Sequence, residues 1–83
     1  MELMKITDVT TKYDVSSRTL RYYEQMGLLE SIRPQFEKYR FYDAENLERL
    51  KQILVLRKMQ IPIRDIVRIY EHRDMTDVVE VFV

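Results

Sequence analysis

Eighty-three residues with 46% apolar content suffice for one small domain, although a chain of this length buries only about 60% of the surface it exposes when unfolded. The absence of cysteine excludes disulfide staples and thiolate zinc sites. The formal charge is zero, but that zero is an average over unlike parts. Residues 1–30 carry four Lys/Arg against five Asp/Glu, residues 31–68 nine against five, and residues 69–83 one against four. The middle is basic and the tail acidic. The N-terminus MELMK has no long apolar core, so no signal peptide is expected. No apolar run approaches the roughly 20 residues that span a bilayer, and a cytoplasmic protein with no membrane contact is expected.

Met4-Lys5-Ile6 reads as a short extended piece. Thr7 or Asp8 is expected to cap a brief helix with Val9 and Tyr13 as its inner pair at i, i+4. Asp14 tolerates the left-handed region better than most residues, so a tight turn is expected there, plugged by Val15.

The stretch Val15 to Leu29, VSSRTLRYYEQMGLL, reads as a second helix. The serine pair offers a hydroxyl N-cap. Gly27, the chain's single glycine, supplies the positive φ that a helix end requires. Arg18, Arg21, Tyr22 and Gln25 fall at i, i+3, i+4 and i+7 and share one face. Leu20, Tyr23 and Gly27 lie opposite. A helix that buries one side and offers guanidiniums, a phenol and an amide on the other suits a DNA major groove; the bland alternative is a solvated face. Short helix, plugged turn, serine cap and second helix together make a helix-turn-helix pattern.

Glu30 to Tyr42 places Ile32-Arg33 and Tyr39-Arg40-Phe41-Tyr42 around a polar turn, which reads as a small β-hairpin. Arg40 and Tyr42 share one side, Tyr39 and Phe41 the other. The hairpin either covers the core or forms a wing whose Lys38 and Arg40 reach phosphates. Asp43 is expected to cap a longer helix, roughly Ala44 to Met59, with Leu47, Leu50, Ile53 and Leu54 as its stripe and Val55 and Leu56 widening it. Pro62 suits the first position of a fourth helix, in which Ile63, Ile66, Val67 and Tyr70 form an amphipathic stripe. Arg64 stands near its start, where free N–H groups also attract phosphate. Arg73 and Asp74 read as a break, and the tail MTDVVEVFV has five apolar residues in its last six.

The run ITDVTTKYDVSSRTLRYYEQMGLL, the hairpin ending YRFY, then DAENLERL and QIPIRDI resemble the N-terminal DNA-binding domain of MerR-type transcription regulators. The resemblance spans about residues 4 to 72, and TLRYYE followed by GLL is its most specific part. It implies a mainly α fold: a winged helix-turn-helix with a small β-hairpin wing, followed by a second helix pair. Residues 1–74 would be the DNA-binding domain. Residues 75–83 would begin a dimerisation helix of a longer protein, cut short here.

The resemblance further implies binding to double-stranded promoter DNA as a homodimer and indirect action on RNA polymerase. Such regulators distort an overlong promoter spacer to bring its two elements into register. By position, Ser17, Arg18, Arg21 and Tyr22 would be recognition-helix contacts, with Arg18 on base edges and Arg21 and Tyr22 on phosphates. Tyr39 and Arg40 would be wing contacts, and Arg64 a backbone contact. Tyr23, at a familiar aromatic position, faces the core by its spacing.

The chain departs from the family pattern at three places. Asp14 replaces a common glycine, Glu37-Lys38 stands where the wing turn is usually Asn-Gly, and Pro62 replaces a Ser or Thr cap. An excisionase-like DNA-bending factor is the nearest rival, but such proteins lack the second helix pair; a protein-interaction module using the apolar tail is another. No Ser/His/Asp set, phosphate loop or metal-ligand spacing is present, so neither an enzyme nor a cofactor is expected.

Overall fold

The two ends of the helix-turn-helix are stitched by strands far apart in sequence. In the computed structural model, which describes residues 2–73 except for the side chains of residues 72 and 73, β1 (Leu3–Lys5) runs antiparallel to β2 (Phe41–Asp43), with Leu3 opposite Asp43, Met4 opposite Tyr42 and Lys5 opposite Phe41. The extended piece expected at Met4 is therefore a strand. Its partner is the residue run that returns from the wing.

Helix α1 (Ile6–Tyr13) follows β1 directly. Neither Thr7 nor Asp8 caps it: the cap position is Lys5, whose side chain makes no capping bond. The Ile6 N–H instead donates to Arg40 O at 2.9 Å, so the returning chain supplies the acceptor that a capping side chain would provide. Val9 is fully buried. Asp14 ends α1 in the left-handed region, φ 52° and ψ 52°, and Val15 behind it is buried, as the turn reading required.

Helix α2 (Ser17–Gln25) begins at Ser16, whose Oγ accepts the Thr19 N–H at 3.0 Å. It ends at Gly27, φ 79°, in a Schellman motif: Gly27 N–H donates to Glu24 O at 3.0 Å and Leu28 N–H to Tyr23 O at 2.9 Å. Leu20, Tyr23 and Leu28 are buried, which seats α2 on the core by the face opposite its arginines.

The wing leaves at Ser31. Ile32 and Phe41 form a single antiparallel bridge, each N–H donating to the other's carbonyl at 2.7 Å. The turn is not at Glu37-Lys38. Glu37 N–H donates to Pro34 O at 3.1 Å, and Phe36 carries the positive φ, 69°. A bridge at Ile32 and Phe41 leaves too long a loop for a two-residue hairpin turn, so the reversal settles just after Pro34.

Asp43 ends β2 and caps α3 (Ala44–Lys58), its Oδ1 accepting the Asn46 N–H at 2.9 Å. Leu50 and Ile53 are buried, with Leu47, Leu54 and Leu56 partly so. Val55 does not widen the stripe; it is 56% exposed, because five residues beyond Leu50 the helix has turned it about 140° off that line. α3 closes in a second Schellman motif with Gln60, φ 64°, in the glycine position: Gln60 N–H donates to Arg57 O and Ile61 N–H to Leu56 O.

Pro62 precedes α4 (Ile63–Arg73) and its carbonyl accepts the Asp65 and Ile66 N–H groups, so it stands one place outside the first helical position. Ile66 and Tyr70 are buried, with Ile63 and Val67 packed beside them. Arg73 belongs to α4 rather than to a break; Asp74 and the tail lie outside the described residues. The core is thus one cluster drawn from α1, α2, β2, α3 and α4. The architecture is the mainly helical winged helix-turn-helix with a second helix pair.

Candidate nucleic-acid interface

Helix α2 presents Ser17, Arg18, Arg21, Tyr22 and Gln25 to solvent, while Leu20 and Tyr23 anchor its other side. Burial pushes the Tyr23 phenol above its ordinary pKa, against the opposing pull of Arg57 and with a smaller push from Tyr22. It stays a neutral core ring. The Tyr22 ring leans on it, centroids 6.3 Å apart, which steers an otherwise half-exposed side chain.

Beside this face the wing is held by one carboxylate. Glu24, with a side chain only 15% exposed, accepts from the Ser31 N–H at 3.1 Å, the Ser31 hydroxyl, and the Tyr42 hydroxyl at 2.9 Å. The Arg40 guanidinium pairs with it at 3.5 Å and also donates to Ser31 Oγ at 3.3 Å. Burial raises the Tyr42 phenol far above its ordinary range, helped by its bond to Glu24 and opposed by Arg40 and Arg21. Tyr42 therefore remains protonated and a donor to Glu24.

The side chains singled out in the sequence fall into three groups. Arg21 and Arg40 line one open cleft of about 420 Å³ with Glu24 and Gln25, continuous with the α2 face that bears Arg18 and Tyr22. Lys38 and Tyr39 lie on the wing, both exposed, and the Lys5 ammonium sits 3.7 Å over the Tyr39 ring. Arg64 is exposed in the first turn of α4 and belongs to neither cluster among the described residues.

The chain matches the family described as MerR HTH family regulatory protein over residues 4–73. The chain belongs to the MerR family. Among the curated members it resembles, it is 32% identical over 68 residues to the transcriptional regulator BrlR of Pseudomonas aeruginosa, covering 81% of this chain and 25% of that protein. It is 35% identical over 66 residues to the HTH-type transcriptional regulator SkgA of Caulobacter vibrioides, covering 80% and 26%. It is 34% identical over 65 residues to the HTH-type transcriptional regulator CueR of Bacillus subtilis, covering 78% and 45%. The chain thus spans about a quarter of the length of BrlR and SkgA. No solved structure matches it. Among the described residues no helix is long and apolar enough to cross a membrane.

Within this MerR-family DNA-binding domain, two residues were not singled out by sequence reasoning. Glu24 carried a signal: it lies four residues after Leu20, a carboxylate on the burying side of α2, where an acid needs partners. Lys5 carried none, because its position over Tyr39 follows from the β1–β2 pairing.

Proposed function

We propose that this MerR-family domain binds promoter DNA as one half of a homodimer and acts by distorting the promoter spacer. The observation that carries the reading is the division of α2: Leu20 and Tyr23 buried on one side, Arg18, Arg21, Tyr22 and Gln25 exposed on the other. Such a helix offers bidentate donors to guanine and an amide to adenine. Lys38, Tyr39, Arg64 and Ser17 add phosphate contacts that set position rather than sequence. Arg40 reaches phosphate while still tethered to Glu24.

The dimer forms through a helix beyond residue 74, and two-fold symmetry then dictates an inverted pair of half-sites. Bending and untwisting the spacer between them costs about 1–6 kcal/mol, offset by the added backbone contacts of the two wings. RNA polymerase gains its aligned elements only in the distorted state.

Selection of duplexes from a random pool, followed by a salt titration of the winners, tests this. The expected result is an inverted repeat whose binding weakens steeply with salt, with a log–log slope of about −0.9 for each phosphate neutralised. Binding indifferent to salt, or no enriched sequence, overturns it.

A further inference from the structure

Phe36 occupies a place that neither packing nor turn chemistry explains. Its ring is 96% exposed, the most exposed of the large apolar side chains described. Its backbone lies at φ 69°, a conformation that costs any residue with a β-carbon and is ordinarily given to Gly or Asn. The turn is held by Glu37 N–H on Pro34 O, which uses no side chain of Phe36. A glycine would make the same turn with less strain and without an apolar ring in water.

The surroundings say what such a ring meets. Arg33 and Lys38 flank the turn, both exposed, against the single acid Glu37. The root of the wing is fixed to α2 through Ser31 and Arg40 on Glu24. The Ile32–Phe41 bridge lies four residues before the tip, so at ~3.3 Å per residue the ring can stand up to ~13 Å beyond it. Were α2 seated in a major groove about 12 Å wide, a tip of that reach would extend past the adjoining sugar-phosphate ridge toward the minor groove.

We propose, on the DNA-binding reading above, that Phe36 is a wedge: its ring enters the minor groove and stacks against a base step, while Arg33 and Lys38 hold the phosphates on either side. Apolar side chains inserted this way partly unstack a step and bend the duplex toward the major groove. The wing then contributes to the distortion itself rather than only gripping its edge.

The chain contains no tryptophan, so Phe36→Trp installs a single reporter at an exposed position that the core does not use. On a duplex selected by the unaltered chain, its emission should fall by about half or more, because a stacked base quenches indole. Phe36→Ala should bind that duplex about tenfold more weakly, the scale of one lost base–aromatic stack, and bend it less by end-to-end energy transfer. Its salt slope should not change, since no charge is removed.

Unchanged emission from a Phe36→Trp protein that demonstrably binds the duplex overturns the wedge and leaves the DNA-binding reading standing. Full affinity and full bend in Phe36→Ala do the same. Emission that follows protein concentration without DNA assigns the ring to contact between copies, again overturning the wedge. Failure of the unaltered chain to bind any duplex overturns both, and is told apart because it appears before any substitution.

Discussion

Glu24 of α2 and Arg40 at the root of the wing lie 3.5 Å apart, and through this pair the helix and the wing are held in one geometry. The carboxylate does more than pair. It also accepts hydrogen bonds from Ser31 and the buried Tyr42, so its loss would strand donors for which no other acceptor is found among the described residues.

Glu24→Ala is accordingly expected to cost about 1–3 kcal/mol for each buried group left unpaired. Arg40→Ala, whose side chain is 42% exposed, should cost under about 1 kcal/mol. Urea unfolding of the two variants checks the order. An Arg40 loss as large as the Glu24 loss would place the guanidinium, not the carboxylate, at the centre of the cluster.

Arg18→Ala should weaken binding to the selected duplex by about 1–3 kcal/mol and flatten base preference at one position, as expected for a bidentate guanine contact. Arg21→Ala should instead weaken all duplexes alike and lower the salt slope by about one phosphate. Binding titrations on the selected site and its single-base variants separate the two.

Gln60 completes the α3 Schellman motif at φ 64°, where a side chain costs about 1–2 kcal/mol. Gln60→Gly removes that strain and returns part of it as unfolded-chain entropy. A net gain of up to about 1 kcal/mol is expected in thermal or urea unfolding, with DNA binding unchanged.

The Asp43 carboxyl is held below its ordinary pKa of 3.8 by the hydrogen bonds it accepts from the Asn46 backbone and side chain. A folded pKa below the unfolded one means the unfolded state takes up the proton first. The contribution is therefore present above about pH 4 and is lost as pH falls through the folded value. Asp43→Asn keeps a capping oxygen, so its stability at pH 7 should lie near that of the parent. The fall in stability between pH 5 and pH 3 should be shallower in the variant, measured as urea midpoints.

Much of this domain could be read from the chain alone because capping and helix periodicity involve neighbours within four positions. Asp14 as a left-handed stop, Gly27 as a helix end, Asp43 as a cap, the buried Tyr23 and the free face bearing Arg18, Arg21 and Tyr22 all follow from such local rules. The start of α1 did not, because its acceptor is Arg40 O from the returning wing. Nor did the wing turn at Pro34, which depends on where Ile32 and Phe41 meet. Glu24 as the joint between helix and wing, and Lys5 over Tyr39, exist only once β1 and β2 are paired. The sequence by itself determined which helices form and which faces they bury; only the tertiary structure decided how the wing is hung on α2, since residues so distant along the chain leave no shared period to read.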